Sequence, residues 1–172
     1  PEDRQALPAD QAYELGQSQI ATAPSVIAMM MDQLDVDRRD KVWEIGTGSG
    51  YQAALLSKIV RRIYTLEIYR PLHLQAKAKF QHHGLSNIVA MSGNGLSGWP
   101  EQKPFDRIVV NAASESIAEI WLDHLKPTGF LLMPIIKGTK QYLSRIYPSK
   151  PSAHIEPICE VHFPVLIHSE SI

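Results

Sequence analysis

The feature that most constrains this chain is Glu44-Ile45-Gly46-Thr47-Gly48-Ser49-Gly50, three glycines at alternate positions directly after the short apolar run Lys41–Ile45. The run reads as a strand, and the segment after it, 51–60, carries Ala54, Leu55 and Ile59 at helical spacing. Strand, glycine turn and helix open a βαβ unit. Glycines in such a turn adopt backbone angles closed to other residues and let a ligand approach the main chain.

The alternation repeats downstream. Arg62–Glu67 reads as a second strand, 71–81 as a helix stopped near Gly84, 87–91 as a third strand, 106–110 as a fourth, 117–125 as a helix and 129–135 as a fifth strand. Two more strand-like runs, 142–147 and 159–166, flank a loop containing Pro148, Pro151 and Pro157. Upstream, Pro24 suits a first helical turn with Thr22 as its cap, and Val26, Ile27, Met30 and Leu34 hold one apolar face. Residues 1–17 read as a loosely structured lead-in with one helical turn at most. This order predicts an α/β chain, a doubly wound and mostly parallel seven-stranded sheet with helices on both faces, in a single domain.

The glycine spacing narrows the ligand. A dinucleotide turn is G-x-G-x-x-G, whereas here Tyr51 stands where the third glycine would be, and the lysine of a phosphate loop is absent. In a doubly wound sheet the ligand lies beyond the carboxyl ends of the strands. Glu44 is placed to serve the ammonium of an amino-acid cofactor, directly or through water. Glu67, 17 positions after Gly50, ends the second strand, where a carboxylate accepts bonds from both ribose hydroxyls. A cationic amino acid joined to a nucleoside describes S-adenosyl-L-methionine.

Composition bounds the rest. With 172 residues, 44% of them hydrophobic, the chain can bury one sizeable core, and 17 Lys and Arg against 18 Asp and Glu give no broad basic field for nucleic acid or a membrane surface. Cys159 is the single cysteine, which excludes an internal disulfide and suits a reducing compartment. No apolar run approaches the roughly 20 residues that span a bilayer, so a cytoplasmic monomer is expected. The sequence begins at Pro1 rather than Met, consistent with an upstream segment. Seven histidines show no zinc-ligand spacing, and no metal is assigned.

Val42 to Gln52 resembles the cofactor motif of the protein-L-isoaspartate O-methyltransferases, including the Tyr51-Gln52 extension. The resemblance continues through Gly16 to Pro24, Gly93-Asn94-Gly95, Gly98-Trp99-Pro100, Phe105 to Val110, Ala112-Ala113, Leu125-Lys126-Pro127 and the closing Val161 to Leu166. It implies a Rossmann-like methyltransferase fold, S-adenosyl-L-methionine as donor, S-adenosyl-L-homocysteine as product, and isoaspartyl residues of damaged proteins as acceptors. It further implies that Gln19, Ile20, Ala21 and Thr22 line the cofactor and reaction centre, with Thr22 as the catalytic hydroxyl that orients the acceptor. The remaining cofactor contacts are Glu44, Gly46, Thr47, Gly48, Ser49, Gly50, Glu67, Ile68, Asn94 and Gly95, the Asn94 carbonyl oxygen accepting from the adenine amino group. The terminal strand carries His162 along the substrate groove, and Trp99 and Phe105 are candidates for excluding water.

The chain departs from the family pattern at Ile20, Ser25, Asn94, Asn111 and Thr128. These positions leave two alternatives to isoaspartyl transfer: methylation of another carboxylate, or a cofactor-binding domain without catalysis. Transfer to a carboxylate needs no strong base, because a carboxyl with a pKa of about 4 is ionised at neutral pH; positioning and exclusion of water suffice.

Overall fold

A computed structural model describes residues 10–149 and 152–167. The first departure from expectation is a hairpin. β1 (Tyr13–Gly16) and β2 (Gln19–Ala21) pair antiparallel where a loose lead-in was expected. Their turn holds Gln17 and Ser18 at φ +57° and +54°. A two-residue hairpin turn of this hand normally advertises itself as Asn-Gly or Asp-Gly, and Gln-Ser carries no such signal.

α1 (Pro24–Leu34) buries Ile27, Met30 and Leu34, as the periodicity predicts. Its N-cap is Ala23 rather than Thr22, with no side-chain cap bond; instead the Ser25 N–H donates to Asp10 Oδ1 at 2.8 Å. At the other end Arg107 donates to the carbonyls of Leu34 and Asp35, and Arg145 to that of Gln33. Two arginines from the sheet thus satisfy carbonyls that the helix end leaves open, and fix α1 against the sheet.

The chain then builds β3 (Lys41–Ile45), α2 (Tyr51–Leu56), β4 (Arg62–Glu67), α3 (Arg70–His82), β5 (Ile88–Ser92), β6 (Phe105–Val110), α4 (Glu119–Leu122), β7 (Leu125–Lys137), β8 (Lys140–Tyr147) and β9 (His154–Val161). The seven-stranded sheet has the order β5-β4-β3-β6-β7-β8-β9. Its first five members are parallel, β8 runs antiparallel between β7 and β9, and β9 therefore points the same way as the first five. Because β3 has β4 on one side and β6 on the other, the strand order reverses at β3, the topological switch point where a ligand crevice is expected.

Both faces of the sheet are covered. Val42, Ile63 and Val109 face a core shared with α1, α2 and α3, whereas Trp43, Tyr64 and Ile108 face one shared with α4 and the 95–105 segment. The alternation follows the two-residue period of a strand. Trp43, Phe105 and Trp121 are fully buried, each worth about 2–3 kcal/mol in apolar burial.

Three segments differ from expectation. α2 turns Gln52, Ala53 and Leu56 inward rather than Ala54, Leu55 and Ile59. Its phase is set by Gly50, and it stops where the Ser57 hydroxyl bonds back to the Ala54 carbonyl at 2.7 Å. α4 is shorter than 117–125, because Leu125 already pairs with Phe105 in the sheet. β9 starts upstream of Cys159 and contains Pro157, which an edge strand tolerates at a register shift. The chain beyond Val161 leaves the sheet edge, and Val165 bridges to Ala113 at the end of β6.

Candidate cofactor and acceptor site

The carboxyl ends of β3, β4, β5 and β6 open into one cleft, of about 920 Å³ counting its open mouth. The glycine turn forms its floor. Gly46 N–H and Thr47 N–H both donate to the Leu66 carbonyl, at 2.8 and 3.3 Å, which pins the start of the turn to β4. Gly46, Gly48 and Gly50 all have positive φ.

Gly50 lies outside the cleft and serves packing. A Cβ there would stand 2.8 Å from the Phe80 ring, in addition to the strain of φ +82°. Gly50→Ala is therefore expected to lower stability by about 2–4 kcal/mol, measured by denaturant unfolding of the free protein. Gly95 does line the cleft, and its missing Cβ leaves room for Ile45, which would otherwise lie 2.5 Å away.

Glu67 closes the turn from the opposite side. Its Oε2 accepts from the Gly48 N–H at 2.8 Å and its Oε1 from the Tyr69 N–H at 3.0 Å. Burial raises its pKa, and the backbone N–H groups oppose that rise. A carboxylate offers about four acceptor sites, so each oxygen keeps capacity for a ligand hydroxyl. Ile68 lies beside it on the wall.

The hairpin and the start of α1 supply the facing wall through Gln19, Ile20, Ala21 and Thr22. Since Ala23 is the cap, the Thr22 hydroxyl is not used in ending the helix, and it has no hydrogen-bond partner among the described residues. Asn94 also lines the cleft, but its Oδ1 accepts from the Leu96 N–H at 2.9 Å. One lone pair of that oxygen is spent on the turn, and the second remains for an adenine amino group.

Glu44 is displaced from the expected position. The strand period puts it on the Val42 face, fully buried beneath the turn rather than on the wall. Thr65, its cross-strand neighbour, donates to Oε2 at 2.5 Å and meets the cleft-lining Thr47 hydroxyl at 2.5 Å. Burial pushes the Glu44 carboxyl up to about 8; the Glu67 charge adds to this, and the Thr65 hydroxyl and the Asn111 amide oppose it. Glu44 reaches the cleft through two hydroxyls.

Among the cleft residues to which the sequence assigned no role, two form a polar pair. Gln52, 3% exposed, and Asn111 both line the cleft, and Asn111 Nδ2 donates to Gln52 Oε1 at 2.7 Å and to the Gly46 carbonyl at 3.1 Å. The signal was present as Gln52 in the Tyr-Gln extension and as Asn111 among the departures. Their contact lies across 59 positions of chain and has no local signature. By contrast His162 is exposed and off the wall, and Trp99 and Phe105 pack around Tyr64 within the core instead of lining the cleft.

A glycine floor, an acidic group at the end of the second strand and a cleft at the switch point define a Rossmann-like S-adenosyl-L-methionine-dependent methyltransferase. The protein-L-isoaspartate(D-aspartate) O-methyltransferase family model matches residues 3–171, and the chain belongs to that family. Protein-L-isoaspartate O-methyltransferases of Paramagnetospirillum magneticum and Caulobacter vibrioides are 44% and 42% identical to it, each over 92% of this chain and over 77% and 72% of their own lengths. A solved protein-L-isoaspartate O-methyltransferase superposes with a TM-score of 0.80 at 27% identity, covering 89% of this chain and 50% of that one. A Plasmodium falciparum structure in complex with S-adenosyl-L-homocysteine shares the fold at a TM-score of 0.78 and 21% identity, over 92% of this chain and 80% of that one. Among the described residues no helix is long and apolar enough to cross a membrane.

Proposed function

We propose that this chain methylates the free carboxyl group of L-isoaspartyl residues in damaged proteins, acting as a cytoplasmic, monomeric, single-domain enzyme. The observation that carries the acceptor side is the Thr22 hydroxyl, free of any capping duty and set on the cleft wall opposite the glycine turn. The residues fit the donor: Gly46 and Gly48, beside Thr47 and Ser49, put no side chain in the way of its amino-acid end, Glu67 has spare acceptor capacity for ribose, and Asn94 and Gly95 border the place for adenine. When bound, S-adenosyl-L-methionine supplies an electrophilic methyl group on a sulfonium.

The chain's part is positioning. Thr22 donates to one oxygen of the ionised acceptor, leaving the other as nucleophile. Ile20, Ala21, Ala112 and Leu166 are apolar parts of the wall, which lower solvation of the two opposite charges that the reaction annihilates.

Thr22→Val is expected to lower kcat/KM for an isoaspartyl peptide by about tenfold to a hundredfold, through loss of one orienting hydrogen bond to a charged group. Affinity for S-adenosyl-L-homocysteine should stay within about threefold, and Thr22→Ser should keep most activity. Transfer of labelled methyl groups measures the first and calorimetric titration the second. A peptide that gains no label while the donor binds would end the isoaspartyl reading.

A further inference from the structure

We propose that Asn111 is a specificity-determining residue whose side-chain oxygen receives a peptide N–H of the acceptor, next to the carboxyl being methylated. This rests on the isoaspartyl-peptide reading above. The side-chain amide has one allowed orientation. Its Nδ2 faces acceptors, with the Gln52 Oε1 at 2.7 Å and the Gly46 carbonyl at 3.1 Å, and the buried Glu44 carboxyl feels the same amide. A flipped amide would set oxygen against oxygen at the Gly46 carbonyl, a backbone acceptor that cannot itself turn over. With both N–H groups directed into the protein, Oδ1 points away from them. Among the described residues no group donates to it, and Asn111 is half-buried on the cleft wall, which leaves this oxygen to the cleft.

Gln52 holds this arrangement in place. It is 3% exposed, and with the Asn111 amide oriented by the Gly46 carbonyl its Oε1 takes the other N–H. Gly46 approaches closely enough that even a Cβ there would stand 3.3 Å from the Asn111 Cβ. Oδ1 is thus presented by a residue clamped to the glycine turn and to α2, a preorganised acceptor rather than a mobile one.

The surroundings select the donor. Ala112, Pro164, Val165 and Leu166, the wall residues contributed by the end of β6 and the segment bridged to it, carry no side-chain hydrogen-bonding group. Val165 is 62% exposed at the mouth. A neutral amide oxygen among apolar groups suits a neutral N–H. It repels a second carboxylate, so free dicarboxylic acids are disfavoured and peptides preferred. Leaving a site's acceptor unpaired is what makes such selection effective.

The test compares an isoaspartyl peptide with two analogues in which the amide N–H on either side of the isoaspartyl residue is replaced in turn by an ester oxygen. With the unaltered protein, one ester should lose about fivefold in kcat/KM, the scale of one neutral hydrogen bond. With Asn111→Ala that penalty should vanish; should this variant fold poorly, Asn111→Val fills the same space without an acceptor. Equal turnover of both esters and the amide peptide by the unaltered protein overturns the proposal, as does a penalty that persists in either variant. Weaker S-adenosyl-L-homocysteine binding to the variant, with esters and amide alike, also overturns it, assigning Oδ1 to the donor. Failure of the isoaspartyl reading is distinct: no transfer to the all-amide peptide.

Discussion

Glu67→Ala should fold and yet bind S-adenosyl-L-homocysteine about a hundredfold more weakly than the unaltered protein. Each carboxylate oxygen already accepts a backbone N–H, from Gly48 and from Tyr69, and this pair holds the glycine turn to the end of β4. Truncation removes the ribose acceptors and leaves those two N–H groups to water. Hydrogen bonds to a charged group are worth about 1.5–3 kcal/mol each, so losing two to the ribose accounts for the expected factor even if the turn keeps its shape. Glu67→Gln separates the contributions, because one amide oxygen can keep the Gly48 or the Tyr69 contact but not both ribose bonds. Calorimetric titration gives the affinities and thermal unfolding of the free variants gives the cost to the turn. Unchanged affinity in Glu67→Ala would remove this residue from the cofactor site.

The parts of the molecule that were legible in the sequence are those whose signals are local. β3 and β4 stand at the expected residues because each is a short apolar run bounded by polar residues or glycine, and α1 buries the face its periodicity announces. The hairpin of β1 and β2 was hidden because its left-handed turn residues are Gln17 and Ser18. The run 159–166 looked like one strand, but its first part pairs with β8 whereas its last part crosses to Ala113. Hydrophobicity cannot mark that change of partner. Residue type alone suggested that Glu44 meets the ligand, and the period of β3, which could have been counted, places it on the Val42 face beneath the turn. The Asn111 contacts with Gln52 and Gly46 arise only when the sheet brings β3 and β6 side by side. Composition and local pattern therefore reached the cofactor floor, but not the polar layer underneath it.

That layer carries the second large effect. A folded-state value of about 8 for Glu44, against 4.5 for an ordinary glutamate, means that the folded protein holds a proton which the unfolded chain releases. Stability should therefore be greatest below about pH 4.5 as far as this group is concerned, and should fall as pH rises through the window up to about 8. At about 1.4 kcal/mol per unit, ionised Glu44 costs on the order of 5 kcal/mol at most. Glu44→Gln removes this group's share of the slope, leaving that of Glu67, and should be the more stable protein at pH 9, measured by denaturant unfolding across pH 5 to 9.

Donor binding should move the other way. With Glu44 ionised, Thr65 must donate to it, Thr47 must donate to Thr65, and the Thr47 oxygen is left to face the cleft as an acceptor. A proton carried on Oε2 reverses the chain and turns Thr47 into a donor, which a ligand bearing ammonium and sulfonium charges disfavours. Because the α-ammonium of the donor titrates in the same range, the two proteins are compared at each pH: from pH 7 to 9 the affinity of the unaltered protein for S-adenosyl-L-methionine should rise relative to that of Glu44→Gln, which should bind more weakly. Equal affinity and equal slope in the two proteins would make Glu44 a packing residue only. A variant that gains alkaline stability while losing donor affinity would show that the buried charge is kept for binding, at a cost in stability borne by the free protein.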